Sequence, residues 1–379
     1  MRLSWTEIIG LMFLSLSLSV SSDELIGPSA KSALDEQVTQ IIEVAHFPGV
    51  ALAVTRNGRA IYTASYGFAN LEHKVPVAPN TVFELASLTK QMTALAISVL
   101  VEDDKLSYDT PIETLLNNIP EEWHGITVNQ LLAHMAGFEH HFEPKVDGSH
   151  LLENTKEHML EAAIAMPMRS KPGEDWHYSD LGYFLLGLVI ESVVNMDYSD
   201  FMHQRFFQAF GMSQTHLLDQ RRIVPHRAQG YKWNSNELER NRRVWQFELT
   251  PHFGVMSSLK DMIKWENALS NSNHFSQEAI ASVTEIQRPF SVGDTCETWG
   301  YARGWFSYKT KSTEYVNHGG YAGTAYLRNL TNGLSVIVLT NREDAPNQVN
   351  PMAIAWVAMH AFDSCLLYTS PSPRDRTRS

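Results

Sequence analysis

The sequence predicts an α+β fold in which an antiparallel sheet, formed by both chain ends and flanked by helices, carries an inserted all-helical subdomain. Strand-like runs concentrate in residues 49–67 and 302–341, whereas residues 106–250 show mainly helical periodicity. Strands and helices that are segregated along a chain are typical of α+β folds. We therefore expect an α/β part at about 30–105 and 251–364, with the helical insertion at about 106–250.

The N-terminal part predicts a helix, a hairpin and a second helix. Apolar residues recur at helical spacing over residues 32–45. Two β-rich runs, Gly49–Arg56 and 59–67, flank Asn57-Gly58, the dipeptide most favoured in tight hairpin turns. A buried stripe at helical spacing then predicts a helix over about 87–103.

The remaining elements are predicted from the same patterns. Helical periodicity occupies residues 127–137, 153–165, 179–195, 198–210, 254–271 and 351–362. Residues 221–245 are polar and irregular, which predicts a surface excursion. The stretches ARGWFSYK, TEYVNHGG and TAYLRNL-TNG-LSVIVLTN predict three strands between 302 and 341, the last two joined through Asn332-Gly333.

Both termini are expected to lie outside the fold. Residues 1–22 combine an early Arg2 with a short apolar run and small residues, which predicts a cleaved secretory signal peptide; an uncleaved membrane anchor is the alternative. We expect a secreted or periplasmic protein without membrane contact after cleavage. The ending CLLYTSPSPRD, from Cys365, back-translates onto a transposon end and adapter used in sequencing libraries, so residues 365–379 are expected to be non-native.

Composition limits the function classes. A chain of 379 residues with 44% hydrophobic and 19% charged residues is long enough for one large domain or two ordinary ones and is typical of a soluble globular protein. Its formal net charge of −12 argues against nucleic acids and anionic membrane surfaces as partners. Because the sequence contains only two cysteines, no disulfide framework is expected.

The stretch FELASLTKQMTA, residues 83–94, places Ser87 and Lys90 three residues apart at the start of a helix. Residues at this spacing share a helix face, and the N–H groups and dipole of a helix N-terminus favour the negative charge that a reactive serine oxygen acquires. The same SxxK spacing recurs at Ser257 and Lys260, where helix capping by Ser257 or Ser258 explains the serines adequately. The motif alone therefore does not identify a nucleophile.

Two downstream segments supply candidate partners. Tyr178 opens YSDLGYFLLG before an apolar helix, and His318 opens HGGYAGT at the end of a predicted strand. With these segments, and with LLAHMAG, GVMSSLKDMIKWENAL and VIVLTN, the chain resembles the serine β-lactamase-like superfamily over about residues 35–345. The resemblance is to class C β-lactamases, penicillin-binding proteins, D-aminopeptidases and family VIII carboxylesterases, and it implies a β-lactamase/transpeptidase-like fold.

The resemblance assigns a role to each segment. It implies that Ser87 is the nucleophile, that Lys90 is its charged partner and that Tyr178 relays the proton. The backbone N–H groups of Ser87 and Tyr321 would form the oxyanion hole, and the reaction would pass through an acyl-enzyme that water releases. Neither a metal nor an organic cofactor is implied.

Two departures from the family pattern bear on the substrate. The family's Tyr-Ser-Asn is Tyr178-Ser179-Asp180 here, and an ionised Asp180 beside Lys90 would keep the lysine protonated, which leaves Tyr178 as the better base candidate. The family's Lys-Thr-Gly is His318-Gly319-Gly320, which removes a permanent positive charge that faces the carboxylate of β-lactams. We therefore expect cleavage of esters or small amides rather than efficient β-lactam hydrolysis.

Other residues carry less weight. His134, His140 and His141 lack an acidic or cysteine partner at metal-ligand spacing, so we expect packing and loop roles and no metal site. Trp176 and Trp305 could line a cleft, but core packing is the better expectation for most of the tryptophans.

Three functional hypotheses stay open. The first is a secreted serine hydrolase, an esterase or amidase that acts on small-molecule or peptide-like substrates. The second is a D-aminopeptidase, DD-peptidase or weak β-lactamase of the same fold. The third is a catalytically silent binding or regulatory protein, because Asp180 and His318 depart from the family pattern.

Overall fold

The structure is a computed structural model that describes residues 27–139, 152–234, 236–241, 245–290, 298–343 and 349–369. In chain order its strands are β1 (Gly49–Arg56), β2 (Arg59–Asn70), β3 (Val75–Pro76), β4 (Val82–Glu84), β5 (Leu152–Asn154), β6 (His216–Leu217), β7 (Tyr231–Asn234), β8 (Glu237–Arg240), β9 (Trp245–Phe247), β10 (Val255–Ser258), β11 (Arg288–Pro289), β12 (Thr298–Tyr301), β13 (Phe306–Lys309), β14 (Glu314–Gly320), β15 (Thr324–Asn329) and β16 (Leu334–Thr340). The central sheet has nine strands in the order β11-β12-β13-β14-β15-β16-β1-β2-β3. The N-terminal hairpin therefore joins the C-terminal strands where β1 pairs antiparallel with β16.

Helices cover both faces of this sheet. In chain order they are α1 (Pro28–Ala45), α2 (Thr89–Glu102), α3 (Val128–Leu132), α4 (Lys156–Ile164), α5 (Asp180–Val194), α6 (Tyr198–Met202), α7 (Leu259–Leu269), α8 (Gln277–Thr284) and α9 (Met352–Thr369). Because side chains alternate along a strand, Val50 and Leu52 pack with α1 and α9 on one face. Ala51 and Ala53 belong to the larger core on the other face, which includes α2, α5 and α7.

The sheet confirms that both ends of the chain contribute strands to one antiparallel layer. At the predicted hairpin turn, Asn57 and Gly58 have φ values of 49° and 74°, as a tight turn of this kind requires. The C-terminal prediction was wrong in one respect, since residues 302–341 form four strands rather than three. TAYLRNL and LSVIVLTN are separate strands, β15 and β16, which pair with each other through the turn at Asn332-Gly333.

The chain between α2 and β10 contains α3, α4, α5 and α6, in agreement with the predicted helical insertion, together with short strands. The stretch predicted to be irregular includes β7 and β8, which pair as an antiparallel hairpin. Helix α3 ends at Leu132 rather than at Gly137, because His134 adopts a left-handed φ of 58° and turns the chain out of the helix.

Several predictions concern residues outside the described part. These are the signal peptide at 1–22, His140, His141 and most of the tail, although α9 extends to Thr369 and so enters the segment that begins at Cys365. Within the described residues, no single helix is long and apolar enough to cross a membrane. One pair, Asp180–Val194 with Tyr198–Phe207, meets the length and composition criteria but is bent by 79°.

Candidate active site

Ser87 lies in a 3₁₀ turn, Ala86–Leu88, that leads from β4 into α2. Ala86 has a φ of 48°, a conformation that non-glycine residues adopt rarely and that neighbouring contacts must hold. Leu85 donates its N–H to the carbonyl of Val255 at 2.8 Å, and Val255 donates its own to Thr89 Oγ1 at 2.9 Å. The turn is thereby fixed to β10, and Ser87 is half-buried between buried neighbours.

Lys90, on the first turn of α2, is fully buried and hydrogen-bonded in three directions. Its Nζ lies 3.2 Å from Ser87 Oγ, 2.6 Å from Asp180 Oδ1 and 2.8 Å from the carbonyl oxygen of His252. Burial lowers the pKa of Lys90, but the negative charge of Asp180, with a contribution from Tyr178, outweighs burial and raises the pKa above its usual value. Lys90 is therefore an ammonium at neutral pH, as the sequence predicted.

Tyr178 lies beside Lys90 on the loop that precedes α5, with its ring centre 4.8 Å from Lys90 Nζ. Burial raises the pKa of Tyr178; the positive charge of Lys90 lowers it, and the net pKa lies above its usual value. A side-chain hydrogen bond with Ser87 also lowers the pKa of Tyr178, but by less than burial raises it. Tyr178 is therefore a neutral phenol at neutral pH, which suits a group that passes a proton on rather than one that stores negative charge.

His134 holds the Tyr178 loop in place. Its Nδ1 accepts a hydrogen bond from the backbone N–H of Ser179 at 3.1 Å, and its carbonyl accepts one from His177 at 2.9 Å. The imidazole also packs on the Tyr178 ring at 4.3 Å between centres. These contacts give His134 the packing role that the sequence predicted. Among the described residues, no group of three or more His, Cys, Asp or Glu side chains could hold a metal ion.

His318, on β14, is buried and faces the same site. Its Nδ1 lies 2.6 Å from the carbonyl of Gly319, so Nδ1 carries the proton and Nε2 accepts from the Tyr301 hydroxyl at 3.4 Å. Burial, and then the charge of Lys90, lower the pKa of His318 to about 4. The position that is a lysine in the family pattern is therefore uncharged at neutral pH.

The end of β14 touches the turn that carries Ser87. Thr324 Oγ1 donates to the carbonyl of Leu85 at 2.8 Å, and a Cβ on Gly320 would lie only 2.2 Å from that same carbonyl oxygen. Only glycine permits such an approach. Tyr321, the next residue, has a side chain that is 59% exposed, and its backbone follows directly from this contact. The two segments predicted to supply the oxyanion donors are thus adjacent.

An aromatic cluster extends outward from His318. We define it as Trp176, Phe290, Trp299, Tyr301 and Phe306. Phe306 lies 5.5 Å from His318 between ring centres, Tyr301 lies 6.3 Å from Tyr178, and Trp299 at the outer end is 46% exposed. Trp305, the other tryptophan considered for a cleft, is buried against Tyr326 and belongs to the core.

The second SxxK motif has a different environment. Ser257 is fully buried in β10, where its Oγ lies 2.8 Å from Thr215 Oγ1, whereas Lys260 is exposed. Ser258 caps α7 by accepting the N–H of Asp261 at 3.2 Å, which confirms the capping interpretation. Of the two motifs, only Ser87 has the lysine beside its hydroxyl.

Sequence reasoning missed three residues that shape the site. His252 contributes its carbonyl oxygen to Lys90, Tyr301 orients His318, and Thr324 joins β15 to the nucleophile turn. Thr324 lies on a strand predicted near the site, so strand pairing could have suggested it, whereas Tyr301 lies on β12, a strand that was not predicted. The His252 contact uses the main-chain carbonyl oxygen, which every residue type possesses, so no residue type or motif could have predicted it.

The similarity to known proteins extends over most of the chain. The sequence model of the family described as Beta-lactamase matches residues 34–358. Penicillin-binding protein 4* of Bacillus subtilis (strain 168) is 29% identical over 318 residues, covering 79% of this chain and 69% of the relative. Protein flp of Staphylococcus aureus (strain N315) is 24% identical, and the chain spans only 63% of its length.

Two solved structures share the fold. The octameric penicillin-binding protein homologue from Pyrococcus abyssi superposes with a TM-score of 0.77 at 25% identity, over 88% of this chain and 77% of that one. EstCE1, a hydrolase with promiscuous acyltransferase activity, superposes with a TM-score of 0.74 at 19% identity, over 88% and 98%. With a family match across most of its length, the chain belongs to the Beta-lactamase family of β-lactamase-fold serine hydrolases.

Proposed function

We propose that this protein hydrolyses small, uncharged esters or amides through an acyl-enzyme on Ser87. The observation that carries the proposal is the contact of Ser87 Oγ with Lys90 Nζ at 3.2 Å, within a site where Lys90 is paired with Asp180 at 2.6 Å and Tyr178 lies alongside. A serine nucleophile requires a proton acceptor and a neighbouring cation, and this arrangement offers both.

Acylation would proceed with Tyr178 as a proton shuttle. Ser87 Oγ attacks the substrate carbonyl carbon and passes its proton to the Tyr178 oxygen while the neutral phenol releases its own proton toward the leaving group, so that Tyr178 never holds two protons. The developing oxyanion accepts hydrogen bonds from the backbone N–H groups of Ser87 and Tyr321. When the bond to the leaving group breaks, the Tyr178 proton goes to the leaving oxygen or nitrogen. Lys90 stays protonated and stabilises the serine oxygen as it becomes negative.

Deacylation would reverse the direction of the proton. Water attacks the acyl carbon and gives a proton to Tyr178, while the phenol returns its own proton to Ser87 Oγ as the acyl bond breaks. The products are a carboxylic acid and the free enzyme, and no net proton is stored on the protein. Each step uses side chains already in contact around Lys90.

The substrate preference rests on the charge and shape beside His318. A neutral His318, with its Nδ1 on the Gly319 carbonyl, offers no permanent positive charge to a substrate carboxylate. The aromatic cluster next to it presents apolar surface instead. Both features support uncharged substrates over β-lactams, whose carboxylate would remain without a cation on this side.

A substrate panel tests the proposal. We expect p-nitrophenyl acetate or butyrate to be hydrolysed with a kcat/KM at least about tenfold above that of a D-amino-acid p-nitroanilide or a chromogenic cephalosporin, a difference of about 1.4 kcal/mol in transition-state binding. The Ser87→Ala variant gives the background rate of hydrolysis for each substrate. Faster turnover of the cephalosporin or of the D-amino-acid anilide would favour the peptidase or β-lactamase hypothesis, and no turnover of any substrate would favour a silent binding protein.

A further inference from the structure

One of the three hydrogen bonds of Lys90 goes to a main-chain group, the carbonyl oxygen of His252 at 2.8 Å. This carbonyl belongs to residues 250–254, which lead into β10 and lie outside the described helices and strands. Because no regular element fixes the direction of this carbonyl, other contacts must hold it against Lys90. Those contacts therefore bear on the charged partner of Ser87.

Two buried hydroxyls hold the carbonyl that precedes it. Thr93 Oγ1 lies 2.6 Å from the carbonyl oxygen of Pro251 and 2.7 Å from the hydroxyl oxygen of Tyr198, and the two hydroxyl residues are 0% and 1% exposed. A carbonyl oxygen has no hydrogen to give, so Thr93 donates to Pro251 and Tyr198 donates to Thr93. The carbonyl of Thr89, at 3.4 Å from Thr93 Oγ1, is the more distant acceptor. The hydroxyls thus form one directed chain that ends on Pro251.

This chain and the site lysine act on the same piece of main chain. Thr93 follows Lys90 by three residues on α2, a spacing that places two side chains on one helix face. Lys90 binds the carbonyl of His252, and Thr93 binds the carbonyl of Pro251, the residue directly before it. The position of one carbonyl therefore limits the position of the other.

Helix α5 confines the same residues from the other side. A Cβ added at Gly187 would lie only 2.5 Å from Pro251 Cγ, so the helix packs directly on the proline ring. Phe184, one turn earlier, lies 6.4 Å from His252 between ring centres. Because α5 begins at Asp180, which pairs with Lys90, the two helices that hold residues 251–252 also carry the ion pair of the site.

The groups around Lys90 show why this carbonyl matters for its charge. Asp180 supplies a negative charge at 2.6 Å. Burial raises the pKa of the tyrosines and lowers the pKa of the histidines that act on Lys90, so these are uncharged at neutral pH: Tyr178, Tyr183, His252 and His318. Of the two neutral oxygens bound to Nζ, the His252 carbonyl at 2.8 Å is closer than Ser87 Oγ at 3.2 Å. It is the shorter neutral hydrogen bond of the ammonium.

We propose that Thr93 and Tyr198 are positioning residues for acyl transfer at Ser87. Their hydroxyl chain fixes residues 251–252 so that the His252 carbonyl stays bound to the Lys90 ammonium. The inference rests on the proposed function of Ser87. It assigns a role in that function to two residues that contact neither the nucleophile nor Lys90 through their hydroxyls, and which act through the main chain.

Thr93→Val tests the chain by replacing the hydroxyl with a methyl group of similar size. Lys90 should lose an acceptor, which makes its ammonium less stable, so the alkaline limb of the kcat/KM profile with a p-nitrophenyl ester should move to lower pH by about half a unit or more. We expect kcat to fall while KM stays within about twofold of the wild-type value, because ground-state binding of the substrate does not involve Thr93. Tyr198→Phe should shift the limb in the same direction by less.

Two further variants separate positioning from packing. Thr93→Ser keeps the hydroxyl and should restore the wild-type position of the alkaline limb. Thr284→Val removes a buried hydroxyl from α8, where it binds the carbonyl of Ile280 at 2.9 Å, and should leave the limb unchanged. A limb that stays in place in Thr93→Val, or that shifts equally in Thr93→Ser, would overturn the proposal.

A measurement without substrate separates this inference from the proposed function. Carbon-13 NMR of protein labelled at lysine Cε, with the Lys90 signal assigned by its loss in Lys90→Arg, follows the charge of Lys90 at alkaline pH. A lower titration midpoint in Thr93→Val than in the wild type and Thr93→Ser supports the positioning role even if no ester is hydrolysed, in which case only the proposed function fails. Equal midpoints would overturn it. If Thr93→Val does not fold, Tyr198→Phe is judged by the same two outcomes.

Discussion

The hydrogen bonds of Lys90 decide the charge state of the candidate site. Its Nζ has three acceptors, on Ser87, Asp180 and His252, at 3.2, 2.6 and 2.8 Å. An ammonium supplies three hydrogens for them, whereas a neutral amine would supply two and would leave one buried acceptor unpaired. The geometry therefore favours a lysine that remains protonated while Tyr178 moves the proton.

Replacement of Asp180 by Asn tests whether turnover requires Lys90 to be protonated. Asn is the family's residue here, and it removes the charge that holds the pKa of Lys90 above its usual value. Burial then lowers that pKa, so the ammonium is lost at a lower pH. We expect the alkaline limb of the kcat/KM profile to move to lower pH by about one unit or more, measured with a p-nitrophenyl ester.

The control is Asp175→Asn, which removes an exposed carboxylate from the same loop. Its pH profile should match that of the wild type, because Lys90 forms its ion pair with Asp180. If Asp180→Asn left the alkaline limb where it was, Lys90 would not be the group whose ammonium supports turnover.

At the level of elements, the site depends on how closely β14 approaches the nucleophile turn. Thr324 on β15 binds the Leu85 carbonyl, and Gly320 passes the same oxygen with no room for a side chain. Ala86 holds a positive φ just before Ser87, and the strain of such a residue, about 1–3 kcal/mol, must be balanced by these contacts. Strand and turn are therefore one structural unit.

Gly320→Ala should move β14 away from the turn that carries Ser87. An added Cβ would lie 2.2 Å from both the Leu85 oxygen and Thr324 Oγ1, so β14 must shift away from the turn and displace the Tyr321 N–H. We expect a kcat loss of about 100-fold or more, the usual effect of losing one oxyanion donor, together with a lower melting temperature.

Gly319→Ala is the matched control for stability. Its Cβ would meet only the Thr324 carbonyl oxygen, at an ordinary 3.7 Å, so the melting temperature should stay close to that of the wild type. A Gly320→Ala protein with wild-type melting temperature and kcat would mean that the close approach of β14 does not support the site.

At the level of the whole molecule, much of the architecture could be predicted because its signals are local. The two β-rich runs and the Asn57-Gly58 turn predicted the hairpin of β1 and β2, and the β-rich ends predicted one shared sheet. The resemblance of the segments around Ser87, Lys90 and Tyr178 to the serine β-lactamase-like superfamily implied which side chains meet, and the structure brings them together.

What the sequence did not predict depends on contacts that have no residue signature. The His252 carbonyl on Lys90 and the Leu85 carbonyl against β15 are main-chain groups, which any residue supplies. Arg227, in the stretch predicted as an irregular surface excursion, and Asn341, which directly follows the buried strand β16, line one cavity. Only the folded chain shows that these segments are neighbours.

The central claim is that Ser87 is the nucleophile, and covalent labelling tests it most directly. Purified protein treated with a fluorophosphonate should gain one adduct mass, and peptide mass spectrometry should locate that adduct on Ser87. Ser87→Ala should lose the label, together with at least about 10³-fold of its esterase activity. Ser257→Ala, in the buried second SxxK motif, should label as the wild type does. A label that persists in Ser87→Ala, or that maps to another residue, would contradict the account.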